Sequence, residues 1–269
     1  MFKECYALEK IHGSSGHILW QSSKLSFFAG GCNHENFVKL FDQAALEAKF
    51  KDSGAEQVVI YGEGYGGKMQ GMSETYGKEL KFIAFEVKIN GYWLAVPQAE
   101  AFAKSFGLEF VHYVKIPATI EEIEAQKNLP SVQAKRNGIV EDKPREGVVL
   151  RPLIEVVKNN GERIIAKHKI DKFRETKTPR TLDPEQLKVL SDAQAISEEW
   201  VTVERLGHVL DHIGGEASME RMQDIMKEMI ADIEREGKGE IVASKEARKA
   251  IGKKTVELVK SRLNQKLGL

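Results

Sequence analysis

The feature that most constrains the fold is a tight-turn signal between segments of strand-forming residues. Asn90-Gly91 separates residues 82–89 from residues 92–96, and both segments are rich in β-branched and aromatic side chains. The two central residues of such a hairpin turn need positive φ, which asparagine and glycine adopt most readily. The same pattern recurs where Asn160-Gly161 lies between residues 148–157 and residues 164–170. Residues 58–61 form a further predicted strand. These segments predict antiparallel pairing and exclude a doubly wound parallel sheet.

Helices are predicted between these strands and beyond them. Residues 37–51 and 97–106 have helical patterns, which makes the first part of the chain α+β. Asp183 before Pro184, with Gln186 at the third helical position, has the form of a helix start. Apolar residues then recur at steps of three and four: Ile196, Trp200, Val203, Leu206, Leu210 and Ile213, followed by Met219, Met222, Met226, Met229, Ile230 and Ile233. With Ser244 as the predicted cap of a last basic helix, we expect an α+β domain over residues 1–180 and a small all-α domain over residues 181–269.

Composition places the chain among ordinary globular proteins. It has 269 residues, of which 42% are hydrophobic and 30% are charged, and this excludes disordered and fibrous classes. No apolar run approaches the roughly 20 residues that span a bilayer, and the first ten residues show no hydrophobic signal region. Cys5 and Cys32 are the only cysteines, which argues against a disulfide framework and for a reducing compartment. We therefore expect a cytoplasmic protein with no membrane partner.

Charge is segregated along the chain although the net formal charge is zero. Residues 143–180 carry eleven Lys and Arg against five Asp and Glu, and residues 245–269 carry eight against two. Basic blocks of this kind indicate anion binding, and nucleic acid is the commonest polyanion. A solvated helix face explains the last block equally simply, so both interpretations stay open there.

Four short motifs place charged residues beside glycine or on a strand. In chain order they are Glu9-Lys10-Ile11-His12-Gly13-Ser14, Ile60-Tyr61-Gly62-Glu63-Gly64, Arg145-Glu146-Gly147-Val148-Val149-Leu150-Arg151 and Ala166-Lys167-His168-Lys169. Each one alone is typical of a solvated surface. Together they describe a nucleotide site, because a lysine attacks phosphorus only as the free amine and neighbouring cations favour that form. Two separated glutamates beside glycine would suit a ribose hydroxyl and a magnesium ion.

This ordered set of motifs resembles the covalent nucleotidyltransferase superfamily of polynucleotide ligases and RNA-capping enzymes. Within the superfamily, the segment from Glu9 to Ser14 is similar to the RNA ligase 2 family of ATP-dependent RNA ligases. His12 is the distinguishing residue, because DNA ligases usually carry Lys-x-Asp-Gly. The resemblance implies an antiparallel-sheet, ATP-grasp-like nucleotidyltransferase domain, here followed by the small all-α domain. It also implies ATP and Mg²⁺ as cofactors, with Mn²⁺ as an alternative, and RNA as the partner at a nicked duplex or at broken ends.

The resemblance assigns roles residue by residue. Lys10 would form a covalent lysyl–AMP, with Lys167 and Lys169 binding the phosphates and assisting the chemistry. Glu9 would contact the adenine edge through its backbone or side chain, Glu63 would bind the ribose, Phe85 would stack on adenine and Glu146 would serve the metal. The family usually has an arginine after the nucleophile, for which Lys24 is the nearest candidate here, and often an asparagine where this chain has Ser15. With Arg151, these two residues complete the predicted phosphate and RNA contacts.

The resulting hypothesis is an ATP-dependent RNA ligase that seals 5′-phosphate and 3′-hydroxyl ends through lysyl–AMP and adenylylated RNA. An ATP-dependent DNA ligase would share every step, and a capping-type nucleotidyltransferase would use GTP instead. A non-catalytic RNA-binding module with a vestigial site is the third alternative, against which the intact lysines and glutamates argue. Whether the helical domain holds substrate or mediates dimerisation stays open.

Overall fold

The computed structural model describes residues 2–159, 161–177 and 190–267. It divides into two compact units, Met1–Ile170 and Asp171–Leu269. The predicted boundary near residue 180, the predicted helix start around Asp183 and the turn residue Asn160 lie outside the described residues. The α+β class of the first unit, with antiparallel sheets, and the helical character of the second are confirmed.

Two antiparallel sheets build the first unit. One has the order β7-β1-β8-β9, and its strands are β1 (Glu4–Lys10), β7 (Tyr113–Pro117), β8 (Gly147–Pro152) and β9 (Ala166–Lys169). The other has the order β3-β2-β4-β5-β6, and its strands are β2 (Ser14–Gln21), β3 (Lys24–Phe28), β4 (Gln57–Gly66), β5 (Leu80–Ile89) and β6 (Tyr92–Trp93). The helices of this unit are α1 (His34–Val38), α2 (Gln43–Ser53), α3 (Ser73–Tyr76), α4 (Val96–Ser105), α5 (Ile120–Lys127) and α6 (Val132–Arg136).

The hairpins form where predicted, with shorter strands. The strand after Asn90-Gly91 ends at Trp93, because α4 begins at Val96 with Pro97 in its first turn, where a missing N–H costs nothing. The strand predicted over 148–157 likewise ends at Pro152, which has no N–H for continued pairing. The helix predicted over 37–51 is two helices, because Asp42 accepts from the Ala45 N–H and starts α2 anew.

The second sheet has a core on one face, and this fixes which side chains the other face presents. Ile18 and Ile60 are fully buried in the apolar core of the first unit. Since alternate residues of a strand point to opposite faces, the neighbouring positions Ser15, His17, Tyr61 and Glu63 share the other face. We call it the site face, because it carries one of the two predicted glutamates.

The second unit is helical, as the apolar spacing predicts. Its helices are α7 (Ala193–Trp200), α8 (Val203–His212), α9 (Met222–Glu236) and α10 (Lys245–Leu267). Ser244 accepts from the Ala247 N–H at 3.0 Å, which confirms the predicted cap of α10. Met222 and Met229 are buried in the core of this unit, so the methionine stripe serves packing. No helix in the described part of the chain is both long and apolar enough to cross a membrane.

Candidate active site

The end of the first sheet brings three of the predicted motifs together. Lys10 is the last residue of β1 and pairs with Gly147, the first residue of β8, which in turn pairs with Lys169 on β9. A Cβ at Gly147 would lie 2.1 Å from the His168 carbonyl oxygen, so only glycine permits this approach of β8 to β9. The residue before it, Glu146, is thereby held between the two lysine-bearing strands.

Glu146 is the centre of a cluster of cations. Its Oε2 accepts from Lys10 Nζ at 2.7 Å and lies 3.3 Å from His12 Nδ1, and its Oε1 lies 3.0 Å from Lys169 Nζ. Burial alone would raise the pKa of this carboxyl, but Lys10, Lys169 and His12 hold it well below its ordinary value. A carboxylate this buried stays charged only because these partners surround it.

The two lysines of β9 share one face, as the strand period predicts. Lys167 pairs with Val149 and is exposed, and Lys169 reaches Glu146. His168 points the other way, is buried, and its Nε2 contacts the Glu124 carboxylate of α5. β9 is a four-residue edge strand, so this contact anchors the segment that carries both lysines.

Glu63 supplies a second carboxylate. It lies on β4 opposite Ser15, on the site face. Burial raises the pKa of Glu63 to about 7, with Lys10, Lys167 and Lys169 opposing the shift and Glu146 adding to it. The charges of Lys10, Lys167, Lys169 and Glu146 therefore all act on Glu63, which takes up a proton near neutral pH, while Glu146 does not. Gly13 lets the two segments meet, because a Cβ there would lie 2.3 Å from the Gly64 carbonyl oxygen.

Phe85 lies at a β-bulge between β4 and β5. Glu86 pairs with Tyr61 and Ala84 pairs with Gly62, so Phe85 is the extra residue. Ile83 pairs with Glu63, and strand alternation from Ile83 puts Phe85 on the site face. Bulges re-aim side chains near functional sites. The half-buried ring of Phe85 is thus on the face that carries Glu63 and Ser15.

The side chain of Glu9 is used within the fold. Its carboxylate is 2% exposed and accepts from Ser131 Oγ at 2.6 Å and from the Val132 and Gln133 N–H groups at 3.0 and 3.3 Å. Burial raises the pKa of this carboxyl, and these bonds with Arg145 oppose the rise. The side-chain contact with adenine that the sequence suggested is therefore wrong, and any nucleotide contact at Glu9 is left to its backbone.

Arg151 is a structural residue, and its predicted role as a phosphate or RNA contact is wrong. Its side chain is fully buried and donates to the Phe85 and Leu94 carbonyl oxygens at 3.1 and 3.0 Å. Its Nε donates to Glu155 at 2.8 Å. The guanidinium ties β8 to the β5–β6 hairpin and leaves no donor facing a ligand.

Lys24 is also misplaced as a substitute for the missing arginine. It pairs with Gln21 at the hairpin end of β2, whereas Ser15, at the other end, pairs with Glu63. Six residues of strand separate the two ends, which is about 20 Å at the usual rise. Ser15 is exposed beside Glu63, so the structure brings Ser15, and not Lys24, to the candidate site.

Two contacts of this site had weak sequence signals. The sequence marks His12 only as the residue that distinguishes the motif from that of DNA ligases, and in the structure it contacts Glu146 directly. His168 gave no signal of its own, yet its position between two lysines on a strand implies that it points away from them. The inward partner, Glu124, lies in another segment and could not be foreseen.

The site can bind a polyphosphate and a divalent cation. Lysine ammonium groups converge at the end of the first sheet, and two carboxylates lie among them. Mg²⁺ is ordinarily bound by one or two carboxylates when phosphate oxygens complete its coordination shell. Three potential metal ligands meet in the second unit instead: Glu175, His208 and Asp232. There the Arg205 guanidinium already contacts Asp232 and lies 3.4 Å from Glu175, so a cation occupies that position.

Comparison with known proteins identifies the family of this chain. The profile of the RNA ligase family matches residues 3–169, which is more than half of the chain, so this protein belongs to the RNA ligase family. A search of curated proteins found no match.

Among solved structures, the chain is similar to Naegleria gruberi RNA ligase with PPi, at 16% identity and a TM-score of 0.47, over 62% of this chain and 49% of that one. It is also similar to a point variant of that ligase with ATP and Mn, at 17% identity and a TM-score of 0.46, over 61% and 48%. The chain therefore spans about half the length of the solved ligase chains it matches.

Proposed function

We propose that this protein is an ATP-dependent RNA ligase that joins 5′-phosphate and 3′-hydroxyl ends. The observation that carries the proposal is the convergence of Lys10, Glu146 and Lys169 at one sheet end, with Lys10 Nζ held 2.7 Å from Glu146 Oε2. The membership of the chain in the RNA ligase family supports the choice of reaction.

The first step forms a bond between Lys10 Nζ and the α-phosphorus of ATP, and the bond to the bridging oxygen of pyrophosphate breaks. Lys10 must give up its proton to solvent before this attack, and the neighbouring cations Lys167 and Lys169 favour the free amine once ATP has entered the site. Lys167 and Lys169 neutralise charge on the phosphate oxygens, where preorganised cations lower the barrier most. Glu63 faces the same space and would bind the ribose, and the ring of Phe85 would stack on adenine.

A divalent cation fits this set of residues. Glu146 would hold it, together with phosphate oxygens, as Mg²⁺ prefers. Bound there, Mg²⁺ or Mn²⁺ would neutralise charge on the transferring phosphoryl group.

The later steps move AMP onto RNA and then off it. The 5′-phosphate of RNA attacks the lysyl–AMP and releases Lys10, and a 3′-hydroxyl then attacks the adenylylated end and expels AMP. Ser15 would donate one hydrogen bond to phosphate in these steps. Positive charge for the RNA backbone would come from α10, where Lys245, Lys249, Lys253 and Lys260 are exposed at steps of about one or two turns.

Self-adenylylation tests the proposal. Incubation with α-labelled ATP and Mg²⁺ should label the protein, and Lys10→Ala should abolish the label. Lys3→Ala, which removes an exposed lysine just before the same strand, is the matched control and should label fully. A folded wild-type protein that takes no label would overturn the proposal. Labelling by GTP in preference to ATP would favour the capping-type alternative, and joining of all-DNA nicks as fast as RNA nicks would favour a DNA ligase.

A further inference from the structure

Four aromatic side chains form a line across the site face of the second sheet. His17 stacks on Phe28, with ring centroids 5.0 Å apart and planes 19° from parallel. Tyr61 lies 5.4 Å from His17 and 5.3 Å from Trp93, again between ring centroids. We call Phe28, His17, Tyr61 and Trp93 the aromatic row. It crosses the sheet from edge strand β3 to edge strand β6.

The aromatic row is next to the candidate active site. His17 and Tyr61 are paired, and the next pair on the same face is Ser15 with Glu63. Two residues of strand separate the pairs, which is about 7 Å, close to the length of one nucleotide in a chain. A ligand that extends from Glu63 along this face therefore meets Tyr61 and His17 first.

Packing does not account for the row. The opposite face of the same strands supplies the core, where Ile18 and Ile60 are fully buried. The outward face of such an antiparallel sheet ordinarily carries polar residues. Here it carries rings that keep solvent contact, and Phe28 is 45% exposed. A row of partly exposed rings that ends at the exposed Phe28 indicates a binding surface.

Lys88 is the cation beside the row that can meet a phosphate, because Glu86 and Glu155 neutralise Arg163. Arg163 Cζ lies 3.8 Å from the centroid of Trp93, and Lys88 Nζ lies 5.2 Å from it. Arg163 is fixed in place by Glu86 and Glu155, which it contacts at 2.8 and 2.7 Å. Burial lowers the pKa of His17, so its ring is neutral at physiological pH and stacks like the others.

We propose that the aromatic row stacks unpaired bases of the RNA substrate beside the end that is being joined. This inference rests on the proposed function, and it adds that the enzyme engages single-stranded nucleotides next to the active site. Stacking on aromatic side chains tolerates any base, since every base has a π face. Bases inside a duplex are already stacked and would not use the row.

A binding experiment without ATP tests the inference separately from catalysis. The probe is a 5′-phosphorylated, fluorescently labelled single-stranded oligoribonucleotide, compared with an abasic version that keeps every phosphate. Wild-type protein should bind the intact probe about tenfold more tightly than the abasic one. The double variant Phe28→Leu and Tyr61→Leu keeps apolar bulk but removes two of the four π faces, and its preference for the intact probe should fall to about threefold or less.

Tyr92→Leu is the matched control. Tyr92 is 79% exposed and next to Trp93, so strand alternation puts it on the opposite face, and this variant should keep the tenfold preference. The circular dichroism spectrum and Tm of the double variant report that it is folded. The inference is overturned if wild-type protein binds intact and abasic probes equally, or if the folded double variant keeps the preference. Either result leaves self-adenylylation, and thus the proposed function, to its own test.

Discussion

Each unit of the protein holds a buried carboxylate surrounded by cations, and the two clusters differ in access. Around Glu146, the side chains of Lys10 and Lys169 are 18% and 20% exposed. Around Asp232, the side chain of Arg205 is 1% exposed, and its Cζ lies 5.1 Å from the centroid of the Trp200 ring. The lysines can therefore exchange a carboxylate for an incoming phosphate, whereas Arg205 cannot.

The two clusters also differ in the chemistry of their cations. A lysine can give up its proton and become a nucleophile, and an arginine keeps its charge at any physiological pH. A buried ion pair is therefore no sign of a site by itself. The proposed function makes the cluster at Glu146 reactive because its cations are lysines that reach solvent. Asp232 is held by two arginines, the enclosed Arg205 and the more exposed Arg235, neither of which can act as a nucleophile.

The largest expected effect concerns the closed cluster. Asp232→Asn leaves the buried Arg205 with Glu175 as its one remaining carboxylate at this cluster, so unfolding in denaturant should show a loss of about 2–3 kcal/mol. The folded fraction should still self-adenylylate at the wild-type rate. The double variant Arg205→Met with Asp232→Leu removes both charges and should lose less than the single variant. Equal stability of wild type and Asp232→Asn would contradict the structural role of the cluster at Asp232.

The next effect concerns the open cluster. Glu146→Gln keeps the shape of the side chain but removes the charge that holds Lys10 and Lys169 together. The rate of self-adenylylation, measured in single turnover, should fall about a hundredfold or more. Asp232→Asn is the control, since it removes a buried carboxylate elsewhere. A rate within threefold of wild type would show that Glu146 does not organise the reaction.

The two glutamates of the open cluster should respond oppositely to pH. The pKa of Glu63 is raised to about 7, so this group favours the folded state at low pH and loses that contribution as pH rises through 7. Glu63→Gln should therefore raise Tm on the order of 2–4 °C at pH 8 and leave it unchanged at pH 4. The pKa of Glu146 is lowered, so its contribution persists until strong acid. The same Tm shift at both pH values would contradict the assignment for Glu63.

The smallest effect is expected for a substitution of Lys24. Lys24→Ala should leave RNA joining within twofold of wild type, because Lys24 lies at the far end of β2 from Glu63. Ser15→Ala is the matched comparison at the near end, and it should slow transfer of AMP to RNA. A loss of joining in Lys24→Ala as large as that in Ser15→Ala would restore the role that the sequence suggested for Lys24.

Local rules were enough to predict the hairpins and the meeting of Lys10, Glu146 and Lys169. Asn90-Gly91 determines its own turn, Lys10 and Lys169 end their strands, and Glu146 lies beside Gly147 where β8 begins. The position of Arg151 could not be predicted in this way. Its burial depends on the Phe85 and Leu94 carbonyl oxygens, which come from a distant hairpin. The prediction for Lys24 rested on its closeness to Lys10 in the sequence. It did not take into account that β2 carries Lys24 to the far end of the sheet.

The most direct test of the central claim is the location of the AMP adduct. After reaction with ATP and Mg²⁺, proteolysis and mass spectrometry should find one AMP on the peptide that contains Lys10, with an acid-labile phosphoramidate bond. An adduct on Lys167 or Lys169, with the Lys10 peptide unmodified, would contradict the assignment of Lys10 as the nucleophile at this cluster.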